Sequence, residues 1–289
     1  LTAGTALIAA RRAASGSGLT RVRARRMRPR IWLISGPTAS GKSSLALALA
    51  HALCAQFEVE SARPLDAMLR LLGRLKAAGP QVEVYAGLVH ACRYCGLLEA
   101  SLSAHDNACR LDPQARTSVN FTLLAMGEYE RSIAVDPPGE IFGTRNYALA
   151  TLGRGEEVLE MCRRNEPTAQ GAARALLRAQ RGTVEGDRDS ILEAMDVLLA
   201  ESMRDPGGIY LGVRSLARLG LVDEALRHFG RVVAGGYFCV PAFRKDPWLD
   251  ALRTRDEFAA HLERAEARYE EARRAFEDAS GPRLLGLAT

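Results

Sequence analysis

The sequence predicts a mostly α protein: an α-hairpin solenoid with a capping helix, preceded by a short strand–loop–helix fragment. Three observations predict it. After Phe57 the apolar residues recur with helical rather than strand period. Glycines punctuate pairs of helix-length segments at Gly96, Gly127, Gly153 and Gly220. Aromatic residues are only 6% of the 289-residue chain against 47% hydrophobic overall, which suits Ala/Leu-rich helices better than a β-sandwich.

The N-terminal part is basic. Residues 1–57 carry eight Arg, one Lys and no acid, so they hold +9 while the remainder holds −4, giving the net +5. Residues 1–28 read as a disordered basic tail, and the densest basic run, "RVRARRMRPR" (Arg21–Arg30), straddles its end. No run of 18 apolar residues is present, so no membrane span is expected. Six cysteines dispersed along the chain, without a clear secretory signal, suit reduced thiols in a cytoplasm.

Residues 29–62 form the strand–loop–helix fragment. "IWLIS" (Ile31–Ser35) reads as a strand and "SSLALALAHAL" (Ser43–Leu53) as a helix. Between them, Gly36, Gly41, Lys42 and Ser43 spell G-x-x-x-x-G-K-S, a phosphate-binding loop. Its glycines let backbone N–H groups face an anion, and the helix start adds partial positive charge. Lys42 is placed to reach phosphate oxygens, and Ser43 to ligate Mg²⁺. The wording "GPTASGKSSLALALA" resembles the opening of tRNA dimethylallyltransferases. That resemblance implies a loop holding the diphosphate of dimethylallyl diphosphate, with Thr38, Ser40, Gly41, Lys42 and Ser43 as contacts. It covers about residues 29–62. The family continues with S-A-D-S-x-Q-V-Y, whose Asp is the base. Ser61 and Ala62 can be laid on that segment, but Arg63 stands at the Asp position and no Q-V-Y comes after it. No strand ending in a Mg²⁺-holding acid is found either. A natural fusion, a truncated enzyme and a misassembled reading frame each produce this pattern.

Residues 63–279 read as the solenoid. "RPLDAMLRLLGRLKAAG" (Arg63–Gly79) puts Leu65, Met68, Leu69, Leu72 and Leu75 on one stripe, and Gly79-Pro80 stops it. In "VEVYAGLVHACRYCGLLEASLSAHDNACRLDP" (Val82–Pro113), Tyr85 and Leu88 are the large residues of a first helix. Gly96 is the turn, Ser101 and Ala108 are the small residues of a second helix, and Pro113 closes the unit. This segment resembles a tetratricopeptide (TPR) repeat, a 34-residue pair of antiparallel helices. Looser units cover Asn120–Ile133, Asn146–Pro167, Ala175–Ser202 (turning around Gly182 to Asp187) and Ile209–Gly236. The turn glycines are spaced 31, 26 and 67 residues apart, so the array is degenerate.

"DPWLDALRTRDEF" (Asp246–Phe258) resembles the segment capping TPR regions of bacterial signalling proteins. Phe258, Leu262, Ala265, Tyr269, Ala272 and Phe276 then form the stripe of a capping helix, which a last repeat without a neighbour requires. Residues 280–289 are left as a tail. Cys92, Cys95, His105 and Cys109, with His90 nearby, have a zinc-like spacing, but Cys92, His105 and Cys109 fall on core-facing positions of the hairpin, so the set reads as packing.

These readings imply a non-enzymatic scaffold of a bacterial cytoplasm, with a protein or peptide partner on the concave face and no catalytic residue, cofactor, metal, membrane or nucleic-acid partner. The alternative is a P-loop transferase resembling tRNA dimethylallyltransferase, truncated and inactive. It implies Mg²⁺ with ATP or dimethylallyl diphosphate, tRNA as partner, and Gly36, Thr38, Ser40, Gly41, Lys42 and Ser43 as the phosphate site.

Overall fold

The structure is a computed structural model and describes residues 19–21, 32–34, 55, 57–136, 140–200 and 205–287. Two three-residue strands, β1 (Leu19–Arg21) and β2 (Trp32–Ile34), pair antiparallel with Leu19 opposite Ile34. β2 falls within the strand expected over 31–35, while β1 falls within the stretch read as tail.

The body is an array of antiparallel helix pairs. α1 (Pro64–Ala78) leads into five hairpins: α2/α3 (Val82–Tyr94, Leu98–Leu111), α4/α5 (Val119–Met126, Tyr129–Val135), α6/α7 (Arg145–Thr151, Gly155–Asn165), α8/α9 (Gly171–Glu185, Arg188–Ala200) and α10/α11 (Pro206–Arg218, Val222–Ala234). Then come α12 (Val240–Lys245), a 3₁₀ turn (Pro247–Leu252), the long α13 (Asp256–Asp278) and α14 (Gly281–Leu285).

Each hairpin turns by the same device. The first helix ends on a glycine with positive φ, and the next residue's N–H reaches back to the carbonyl five residues earlier. Leu97 bonds Cys92, Glu128 bonds Leu123, Arg154 bonds Leu149, Asp187 bonds Gly182 and Leu221 bonds Leu216, all at 2.9–3.0 Å. This left-handed cap satisfies carbonyls that the helix leaves open. The fourth hairpin turns at Gly186 (φ +79), whereas Gly182 lies inside α8. The 67-residue gap in the sequence reading is therefore two repeats of 33 and 34 residues.

The core is built from small and branched residues. Ala91, Ala104, Ala108, Ala148, Ala225 and Ala265 are buried, and so are Leu71, Leu88, Leu177, Leu216 and Leu226. Ser101, where a TPR prefers Ala, is fully buried. Its Oγ donates to Val89 O (2.6 Å) and meets Thr122 Oγ1 (2.8 Å). Ser132 repeats this one unit later, with Asn120 O (2.9 Å) and Thr144 Oγ1 (2.8 Å). Each hydroxyl ties a hairpin internally and to the next.

The C-terminal helices do not simply continue the stack. α13 packs on α11 and also on α1, and α12 packs on α4. Phe238 N donates to Tyr94 O (3.0 Å), and Arg268 Nη2 donates to Ala62 O (3.2 Å). Residues 280–289, expected to be a tail, contain α14, whose Leu285 is buried and packs toward α1 and α3. The array thus closes on itself, and its inner face is partly filled by its own residues 237–245.

Candidate functional site

The sequence-predicted phosphate site, Gly36, Thr38, Ser40, Gly41, Lys42 and Ser43, lies outside the described residues. Further along the chain, residues 57–60 are helical, Ala62 has φ +65, and Arg63 sits at the N-terminal end of α1. Arg63, which the resemblance lays on the base position of the transferases, therefore stands at the entry to the helical array.

The residues the structure brings together lie on the inner face. Two Asp-Pro pairs cap their helices. Asp205 accepts from Gly207 N (3.0 Å) at the start of α10, and Asp246 from Trp248 N (3.1 Å) at the 3₁₀ turn. Side-chain oxygen at the N-cap answers a helix's open donors, and proline fits its first position. Each carboxylate also takes a tyrosine. Tyr94 Oη donates to Asp205, and Tyr210 Oη donates to Asp246 (2.7 Å). Asp246 further accepts from Arg214 Nε (2.5 Å), while Arg214 lies 4.6 Å from the Trp248 ring centre. Trp248, expected to anchor the cap, is buried.

Between these groups is a cavity of about 60 Å³, lined by His90, Arg93, Tyr94, Tyr210, Arg214 and Tyr237 among others, with exposed Lys245 at its rim. Arg93 is 4% exposed. Its Nη1 donates to Ser118 O and Oγ (both 2.9 Å), its Nη2 to His90 Nδ1 (2.9 Å), and its guanidinium lies 5.3 Å from the Phe121 ring centre. It has no carboxylate within ion-pair distance among the described residues. Arg214 is 1% exposed, and its Nη1 is buried without a partner among the described residues.

Burial sets the protonation of this region. It drives the His90 imidazole well below its usual value, and the Arg93 charge adds to this. Burial raises the Tyr94 phenol well above 10, and the neighbouring Asp205 carboxylate raises it further. Burial also raises Asp205, against the Tyr94 hydrogen bond.

A second, wider groove of about 520 Å³ runs between the α2–α3 turn, the end of α4, α12, α13 and α14. Leu97, Met126, Phe276 and Leu287 supply its apolar lining, with Lys245 and Arg273 also lining it.

One relative fits the loop's wording. A 64-residue stretch is 52% identical to the tRNA dimethylallyltransferase of Phenylobacterium zucineum (strain HLK1), covering 22% of this chain and 20% of that protein. The match agrees with the resemblance read in the P-loop segment, and it spans about a fifth of the relative's length. No family model matches the chain, and no solved structure matches it.

Of the zinc-like set expected to face the core, Cys92 does so, whereas His105 and Cys109 are only half-buried on α3. Cys92 and Cys95 are fully buried, and burial pushes the Cys92 thiol up to about 12. His105 Nδ1 meets Thr117 Oγ1 at 2.9 Å. No group of three His, Cys, Asp or Glu able to hold a metal occurs among the described residues. No helix among them is long and apolar enough to cross a membrane.

Sequence reasoning named Asp246 and Trp248 but passed over Arg93, Tyr94, Asp205 and Arg214. The Asp205-Pro206 pair carries the same capping signal as Asp246-Pro247 and could have flagged Asp205. Tyr94 and Asp205 are 111 residues apart, which no local pattern reveals.

Proposed function

We propose that this protein is a TPR-like interaction module that holds an extended segment of a protein partner. The observation that carries this reading is the groove of about 520 Å³ where the capping helix α13 faces the first two hairpins. The sequence reading placed the partner on the concave face. The inner face is partly occupied by residues 237–245, so the groove opening beside α12 is the better seat. Its apolar floor suits two or three large side chains, and Glu99, Glu128, Lys245 and Arg273 suit a polar backbone and mixed charges. A bacterial cytoplasmic setting goes with this reading.

Identification of a partner by affinity purification and mass spectrometry, followed by calorimetry with the purified pair, tests it. Leu97→Glu and Met126→Glu put charge on the apolar floor, and each is expected to weaken binding by about tenfold or more. Unchanged affinity in both folded variants would remove the groove from the interface.

A second reading rests on the 52% identity over 64 residues to a tRNA dimethylallyltransferase. In it, Gly36, Thr38, Ser40, Gly41, Lys42 and Ser43 form a diphosphate site served by Mg²⁺. The body departs from the transferase pattern where Arg63 begins α1. The expected outcome is weak or undetectable binding of ATP and dimethylallyl diphosphate by calorimetry, and no prenylation of tRNA. Prenylated adenosine formed by the purified protein, and lost in Lys42→Ala, would make this reading the correct one.

A further inference from the structure

We propose that the inner cavity is a binding site for a small organic monocarboxylate of two or three carbons. Four observations converge on that chemistry. First, Arg93 is a buried guanidinium with no ion-pair partner among the described residues; it is held by Ser118, His90 and ring faces. The Asp205 carboxylate acts on Arg93 only from beyond ion-pair distance, so a carboxylate entering beside Arg93 supplies the direct partner that the buried guanidinium lacks. Second, the neighbouring buried Arg214 is fixed by Asp246 through Nε and Nη2, and its Nη1 has no partner among the described residues.

Third, His90 adds a neutral donor. Its Nδ1 accepts from Arg93 Nη2, since a guanidinium only donates, and this leaves the ring proton on Nε2. That Nε2 is buried and unpartnered among the described residues, and His90 lines the same cavity. Two buried donors with unmet capacity, Arg214 Nη1 and His90 Nε2, therefore border the same space as the Arg93 guanidinium.

Fourth, charge and volume select the ligand. Arg93, Arg214 and Lys245 line the cavity with Asp205 and Asp246, a formal excess of one positive charge among the lining side chains, while Glu60 acts on Asp205 from outside the lining. One negative charge balances it, whereas a phosphate dianion adds repulsion from the two carboxylates. The cavity of about 60 Å³ is less than half the size of a roughly 150 Å³ apolar cavity that binds benzene. Acetate or propionate matches the smaller volume, whereas benzoate would have to project out of the cavity. Rings of Tyr94, Tyr210 and Tyr237 supply walls for the methyl or ethyl group.

The partner test uses Leu97 and Met126, and neither lines this cavity, so the two proposals can fail separately. The experiment titrates the full chain with acetate, propionate, benzoate and inorganic phosphate at constant ionic strength, followed by calorimetry. Saturable millimolar binding of acetate or propionate is expected, with none for benzoate or phosphate. Arg93→Gln, shown folded by circular dichroism, is expected to lower that affinity by about tenfold or more. As a readout independent of any variant, nuclear Overhauser contacts from bound acetate methyl protons to tyrosine ring protons are expected in the wild type. No carboxylate binding, preferential phosphate or benzoate binding, unchanged affinity in folded Arg93→Gln, or absence of the ring contacts would each overturn the assignment.

Discussion

Asp246 does three jobs with one carboxylate. It caps the 3₁₀ turn at Trp248 N, neutralises Arg214 and receives Tyr210 Oη. All three partners are buried, so the interaction is not screened as a surface pair would be. Removing the carboxylate leaves the Arg214 charge uncompensated in the interior. Asp246→Ala is expected to destabilise the protein by about 3–5 kcal/mol in urea denaturation. Asp246→Asn keeps an oxygen for the cap and for Tyr210 while losing the charge, so its cost is expected to be smaller. Equal costs for the two variants would mean that the pairing with Arg214 contributes nothing beyond hydrogen bonding. The exposed ion pairs, such as Arg163–Glu156 with side chains 65% and 87% exposed, stand at the other extreme and contribute little.

At the scale of the element, the hairpin turn is the unit that the sequence displayed best. Gly96, Gly127, Gly153 and Gly220 were legible because each stands between two amphipathic segments. Gly186 was not, because "RGTVEGDRDS" offers Gly182 and Gly186 four residues apart, with few apolar residues to mark where one helix ends. Position decides: Gly182 sits in α8, where an added Cβ would meet Asp187 O at 2.9 Å, while Gly186 takes the left-handed conformation. The inner site was illegible for a different reason. Its residues are caps and helix-end side chains brought together by closure of the array, and periodicity reports only which face of a helix is apolar.

The turns also differ in what surrounds them. At Gly127 (φ +82) an added Cβ meets nothing within 4 Å, so Gly127→Ala is expected to cost only the left-handed backbone penalty, about 1–2 kcal/mol. At Gly96 (φ +76) the Cβ would meet Tyr269 Cδ2 at 2.8 Å and Phe238 O at 3.3 Å, both from the C-terminal segment. Gly96→Ala is therefore expected to cost clearly more, read as the difference between two urea midpoints at equal m. Equal costs would place the C-terminal segment away from the first hairpin.

For the whole molecule, that closure is the decisive feature. In an open solenoid each repeat touches only its neighbours, and a lesion at one end is felt weakly at the other. Here α13 packs on α11 and on α1, and α14 returns to α3. Leu285 is 1% exposed, and its carbonyl accepts from Ser103 Oγ (2.6 Å) and Asn107 Nδ2 (3.0 Å). The last helix therefore holds the first hairpin, some 180 residues away in sequence. Trp248, packed beside Arg214 and Arg218 of α10, reports on the opposite part of the array. In a Trp32→Phe background its fluorescence follows that region alone. Leu285→Ala is expected to cost about 2–5 kcal/mol as a large-to-small core change. Because the ends are joined, the Trp248 transition is expected to move to lower urea by the same amount as the circular dichroism transition, as a single cooperative unit requires. A Trp248 transition left in place while the helical signal splits in two would show that the ends unfold independently, and that the body is an open stack rather than a closed one.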